Sequence, residues 1–244
     1  MSTNAFETLK NANRSFRRQT DWMRFTIKLG GGRTLTYTRR PRARWSRLLS
    51  KLMFIISAPA FALDPNALPT GGNVVGGAGN IGATGNQMTV TQNTQNMIVN
   101  WNTFNIGSQA GVNFVQPNAQ STALNRVLSA DASSIMGSLT ANGRVFLINP
   151  NGVLFGNGAR VDVGSMVAST LNITDSNFMA GKYVFEKGAA AGSIVNQGTI
   201  TAKDGGFVAM LAPEVINQGL ITAKLGTVGI IAGDKVSKDN QGDG

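Results

Sequence analysis

Apolar and polar residues alternate with a period of two along much of this chain. The pattern is clearest over Met88-Thr-Val-Thr-Gln92 and Met97-Ile-Val-Asn-Trp101. Period-two alternation rich in β-branched residues predicts strands with one buried face. No long 3.6-residue periodicity runs between residues 88 and 234, and only Ala119 to Leu139 suggests a helical turn. Before residue 88 the chain is Gly-rich (Gly71, Gly72, Gly76, Gly77, Gly79, Gly82, Gly85), with short pairs such as Val74-Val75 able to form brief strands between turns.

Two apolar runs, Val145-Phe-Leu-Ile148 and Val153-Leu-Phe155, flank Asn149-Pro150-Asn151-Gly152. Proline presets φ for the second position of a type I turn, and the asparagine before it can bond the turn backbone. The stretch therefore predicts two short buried strands meeting at a corner, although the tetrapeptide alone is a generic turn.

The last third carries an internal echo. Val195-Asn-Gln-Gly-Thr-Ile-Thr-Ala-Lys-Asp-Gly205 aligns with Ile216-Asn-Gln-Gly-Leu-Ile-Thr-Ala-Lys-Leu-Gly226 at a step of 21 residues. Apolar segments follow in register, Phe207 to Leu211 against Val228 to Ala232. A weaker copy around Gly158 and Met166-Val-Ala168 reads as lying two periods earlier. A β-rich repeat of this length with Gly at its corners predicts a parallel β-solenoid. Coils stacked about 4.8 Å apart would place Ile200 over Ile221 as an aliphatic stack and Asn196 over Asn217 as an amide ladder. The leucine-rich-repeat pattern is missing, and an immunoglobulin-like sandwich would not echo residue for residue.

Charge divides the chain. The formal net charge is +10 over 244 residues, which by itself would suggest a nucleic-acid binder. Residues 1–62, however, hold 13 Lys+Arg against 2 Asp+Glu (net +11), and the remainder holds 9 against 10 (net −1). With only Arg126 and Arg144 as basic residues between Lys51 and Arg160, no nucleic-acid groove is expected.

The basic segment reads as a long leader ending in an export signal. Arg39, Arg40, Arg42, Arg44 and Arg47 precede a short apolar stretch from Leu48 to Ala58, and Ala60-Phe61-Ala62 fits a small-x-small cleavage site. The mature chain would start near Leu63. The stretch is short of the roughly 20 residues that span a bilayer; a basic amphipathic anchor is the alternative. The Arg-rich leader, with Gly30-Gly31-Gly32, is either an extended signal peptide or a sign that translation starts at Met23 or later. Signal peptidase and the general secretion machinery are the partners this implies.

Catalytic chemistry finds little support. The chain has no Cys and no His, so packing and hydrogen bonds must hold the fold. A Ser nucleophile would lack a His base, and a transition-metal site would lack its usual ligands. Gly156-Asn-Gly158 and Thr70-Gly-Gly72 lack the Gly-Lys-Ser/Thr that completes a phosphate loop. No two carboxylates of the 63–244 segment lie within three residues of each other; only stacking, for example of Asp162 with Asp204, could pair them. Trp101, Phe104 and Phe114 suit core filling better than a carbohydrate-stacking surface. No enzyme, cofactor or metal site is expected.

An ordered series of motifs carries a resemblance. It comprises Asn100-Trp101, Phe104-Asn-Ile-Gly107, Val112-Asn-Phe114, Gln116-Pro117, Leu124-Asn125-Arg126-Val127, Ile135 to Leu139, Asn142-Gly143, Val145 to Val153 and Val167-Ala-Ser-Thr170. Tyr183-Val-Phe185, Asn196-Gln-Gly198 and Gly205-Gly-Phe207 extend it. Together these resemble the filamentous haemagglutinin N-terminal domain, the two-partner secretion domain at the front of large adhesins, haemolysins and contact-dependent inhibition toxins of Gram-negative bacteria. The resemblance implies an all-β, right-handed parallel β-helix with an N-terminal β cap. It implies recognition by the periplasmic polypeptide-transport-associated domains of a partner outer-membrane barrel, which threads the chain outward to the cell surface or medium. The family's Asn-Pro-Asn-Gly-Ile motif maps onto Asn149, Pro150, Asn151, Gly152 and Val153, with Val for Ile. The Asn-Pro-Asn-Leu motif of some members has no clear match. Asn100, Trp101, Asn125, Arg126 and Val127 are further family-motif positions.

The expected organisation is a leader over 1–62, a cap region over 63–110, coils over 111–234 and a polar tail over 235–244. The final coil is expected to present an open edge. Whether the chain is a truncated gene, a fragment or a stand-alone domain stays open. The expected function is secretion and recognition without catalysis, with the coils nucleating β-helix folding. The alternatives are an adhesive surface for glycans or host cells, and a glycan-active enzyme.

Overall fold

The computed structural model describes the backbone of residues 23–28, 34–39 and 235–237, and both backbone and side chains of 63–190 and 192–232. The chain divides into two units, 1–60 and 61–244. In the first, β1 (Met23–Lys28) and β2 (Thr34–Arg39) pair antiparallel on either side of the glycine triplet, within the expected leader. The expected export signal, with its basic and apolar regions and cleavage site, lies outside the described residues.

The second unit is a parallel β-helix. Alternation places one set of side chains inward on every strand, and no single coil is wide enough to enclose them. Stacking completes the core. Strands β3 (Asn73–Gly76) and β4 (Gly79–Thr84) pair antiparallel with β6 (Asn96–Trp101) and β5 (Gln87–Gln92), and so cap the stack. From there every contact between rungs is parallel. One sheet runs β5, β7 (Gly111–Val115), β10 (Ser138–Ala141), β13 (Arg160–Val163), β17 (Thr199–Ala202) and β20 (Leu220–Ala223). A second runs β6, β8 (Thr122–Val127), β11 (Arg144–Ile148), β14 (Ser165–Ser169), β18 (Phe207–Ala212) and β21 (Thr227–Ala232). A shorter third sheet holds β9 (Ser133–Ile135), β12 (Val153–Phe155), β16 (Ser193–Asn196) and β19 (Glu214–Asn217). These three faces enclose one apolar column that includes Val90, Phe114, Leu139, Val161 and Ile200.

The repeat is seen in three dimensions: Ile200 pairs with Ile221 and Thr201 with Thr222 across β17 and β20. Asn196 Nδ2 donates to Asn217 Oδ1 at 2.8 Å, and Gln197 Nε2 to Gln218 Oε1 at 3.1 Å, so the amide ladder forms at the corner.

Four expectations change. The parallel stack begins at Gln87 rather than 111, because β5 and β6 already pair parallel with β7 and β8. Residues 119–139 hold strands β8 and β9; among the described residues a helix, α1 (Asp175–Met179), lies elsewhere and is capped by Thr174, whose Oγ1 accepts from Asn177 N. The copy read as two periods earlier is the adjacent rung: Arg160 pairs with Thr199 and Met166 with Val208. The extra length is residues 170–192, which leave the coil, form α1 and β15 (Val184–Glu186), and return. Within the expected polar tail, β22 (Lys235–Ser237) pairs antiparallel with β15.

Candidate secretion and folding site

The corner between β11 and β12 is built as its residue types require. Gly152 N donates to Asn149 O at 3.1 Å, closing the turn, and Asn151 N donates to Asn149 Oδ1 at 3.0 Å, an Asx bond. Gly152 has φ +121°, a conformation side chains disfavour. Asn149 is fully buried, and its Nδ2 donates to Asp131 O (2.9 Å) and Ser133 Oγ (3.0 Å) on the rung below. Asn151 Nδ2 donates to Ser129 O at 2.9 Å. The two asparagines thus pin their corner to the preceding one, and Val153 enters the core. The rung above closes the stack: Asn149 N donates to Ser169 O and Gly192 N to Pro150 O.

The other motif residues occupy adjacent strands in register. Val99 pairs with Asn125, Asn100 with Arg126, and Trp101 with Val127. Asn125 is fully buried, in the interior column between Val99 and Leu147. Trp101 Nε1 donates to Asn125 Oδ1 at 3.0 Å, and Asn125 Nδ2 donates to the carbonyls of Ala123 and Phe146. A buried amide costs little once its groups are paired. Arg126 points to the other side of the strand. Its guanidinium bonds Asp175 Oδ1 (2.7 Å), Ile173 O (2.7 Å), Asn172 Oδ1 (3.2 Å) and Asn100 Oδ1 (3.4 Å).

Backbone bonds join the two groups. Leu128 N donates to Trp101 O and Ser129 N to Asn102 O, so the loop that receives Asn151 itself rests on the loop after β6.

Sequence reasoning missed Ser133 and Gly192 at the corner. It also missed a buried amide column one corner away. Gln116 Nε2 donates to Gln92 Oε1 (2.8 Å) and to carbonyls of Ser121 and Arg144, while Gly143 N donates to Gln116 Oε1. The signal was available: Gln92 and Gln116 lie one coil apart, and each takes the next inward position where an alternating strand ends.

Trp101, Phe104 and Phe114 are all buried in the core, so they form no stacking surface. Asp162 pairs with Thr140 and Thr201, not with Asp204. Among the described residues, no group of three or more Asp, Glu, His or Cys side chains could hold a metal ion.

The model of the TPS secretion domain family matches residues 66–243. The chain belongs to this family. A Heme/hemopexin-binding protein of Haemophilus influenzae is 40% identical over 145 residues, covering 56% of this chain and 16% of the relative. A second such protein from the same species is 36% identical over 115 residues, covering 47% and 12%. The crystal structure of the HMW1 secretion domain from Haemophilus influenzae superposes with a TM-score of 0.66 at 36% identity, over 69% of this chain and 46% of that one. The TPS secretion domain described here therefore spans under a fifth of these curated relatives and under half of the solved chain.

Proposed function

We propose that this TPS secretion domain directs export of an exoprotein through a cognate outer-membrane barrel and nucleates folding of the β-helix once outside. The observation that carries the reading is the Asn149–Val153 corner, which ties three successive rungs together, by side-chain amide hydrogen bonds to the rung below and main-chain bonds to the rung above. In the unfolded chain, strand segments with unpaired backbone groups could add to the edge of a sheet in the barrel's periplasmic polypeptide-transport-associated domains. After passage, burial coil upon coil would oppose back-sliding, in a compartment without ATP. An export signal ending near Ala62, cut by signal peptidase after passage through the general secretion machinery, would bring the chain to the periplasm. The mature chain would reach the medium or the cell surface.

The test is co-expression with the cognate barrel. Asn149→Ala and Pro150→Ala should each lower the exported, protease-resistant yield severalfold; unchanged yield and resistance for both would reject a role for the corner.

A second reading, adhesion, is favoured by one surface column. Thr89, Asn113, Thr140, Asp162, Thr201 and Thr222 follow one another in register on the outer side of the first sheet, and Thr140 Oγ1 donates to Asn113 Oδ1. Such a polar row could bind glycans of a host surface. A glycan array probed with purified protein separates the readings, since loss of signal in Asn113→Ala with export intact would assign the row to adhesion.

A further inference from the structure

We propose that residues 170–192 are a strap that closes across the outside of the β-helix midway through assembly, pinned by Arg126, and locks the first four rungs. The idea rests on the reading above, that the chain folds from its N-terminal side.

The strap starts and ends over the Asn149–Gly152 corner: Ser169, the residue just before it, accepts from Asn149 N, and its last residue, Gly192, donates to Pro150 O. Between them it buries Leu171, Ile173, Phe178 and Phe185 outside the helix, in an apolar cluster separate from the interior column. The floor of that cluster runs along one register column, with Ile148 and Leu211 beside it: Ile98 pairs with Leu124, Leu124 with Phe146, and Phe146 with Val167. One residue comes from each of β6, β8, β11 and β14. On the next two rungs the same column shrinks to Ala209 and Gly229. Phe146 is the centre, with ring centroids 5.9 Å from Phe178 and 5.1 Å from Tyr183 in edge-on contacts.

Arg126 supplies the polar fastening. Its side chain is 14% exposed and reaches the carboxylate of Asp175 at the first turn of α1 and the Ile173 carbonyl. A largely buried guanidinium loses water on docking, and these acceptors replace it.

Chain order gives the strap its timing. The column floor, Arg126 and the corner all precede residue 170, so they are in place when the strap forms. Of the residues it meets, Phe207, Ala209 and Leu211 of β18 come later, and β22, which pairs with β15, comes last. Docking on the four-rung floor therefore needs neither β20 nor β21; it ties those rungs into one cooperative unit, which β18 and then β22 complete from the later chain.

The test uses the full chain, purified and folded, with trypsin. Lys182 and Lys187 lie on the strap; the Lys182 backbone is held by bonds from its N to Asn177 O and from Val184 N to its carbonyl, so cleavage accelerates when the strap opens. Arg126→Met should raise the cleavage rate at these lysines at least tenfold, and Arg126→Lys should restore only part of the protection, since an ammonium lacks the planar fork. If Arg126→Met does not fold, Asp175→Asn, at an exposed carboxylate, carries the test with a severalfold increase. Hydrogen exchange should show the strands β6, β8, β11 and β14 losing protection in either variant while β20 and β21 keep theirs. Native circular dichroism with unchanged strap cleavage in both variants would overturn the proposal. That result would leave the export reading intact, because the corner variants assay export independently.

Discussion

At the scale of single residues, this fold depends on amides placed where side chains are otherwise apolar. Asn125 takes an interior position between Val99 and Leu147, and Trp101 supplies the donor its oxygen needs. Removing one member of a buried pair costs about 1–3 kcal/mol, whereas replacing both by apolar groups can be nearly neutral. Trp101→Phe should accordingly lower stability by about 2 kcal/mol in urea unfolding, and adding Asn125→Leu should recover most of the loss. Failure of the double variant to improve on the single one would mean that shape, not pairing, governs the site. The motif was legible in the sequence as Asn100-Trp101 and Asn125-Arg126, but the division of labour was not. Adjacent residues on a strand face opposite ways, so Asn125 turns to the core and Arg126 to the strap, and only knowledge of which face lies inward separates them.

At the scale of elements, the rung is the unit of stability. Ile200 is fully buried beneath Ile221, which is only partly covered. Truncation in a core leaves a cavity as well as losing burial, at about 2–5 kcal/mol. Ile200→Ala should fall in that range and Ile221→Ala clearly below it, in paired denaturation midpoints; equal losses would contradict the interior stack. The echo at 21 residues made these two rungs readable, because nothing interrupts the coil between them. The rung before them reads from sequence spacing as two rungs away, since residues 170–192 lengthen that spacing without adding a coil. α1 escaped detection for a related reason. Five residues are too few for helical periodicity, and packing on Phe146 rather than propensity holds the turn.

At the scale of the whole molecule, the two ends of the described stack differ. The β3–β4 cap covers one. At the other, β19, β20 and β21 end their sheets among the described residues, and Leu220 (59% exposed) and Ile230 (45%) lie on these strands. Unpaired strand edges bearing apolar side chains promote association. The purified chain should self-associate with rising concentration in sedimentation velocity, and Leu220→Lys with Ile230→Lys should reduce that; identical profiles would show that this edge is protected. The order of residues was enough to reveal the parallel coils, the amide ladder, the tight corner and the family, because each repeats or occupies a short contiguous stretch. Three dimensions were needed to reveal the strap, the antiparallel pairing of β22 with β15 and the inward or outward direction of each motif residue. Those features join segments far apart in the chain, and no local pattern of apolar and polar residues encodes which distant surface a loop will cover.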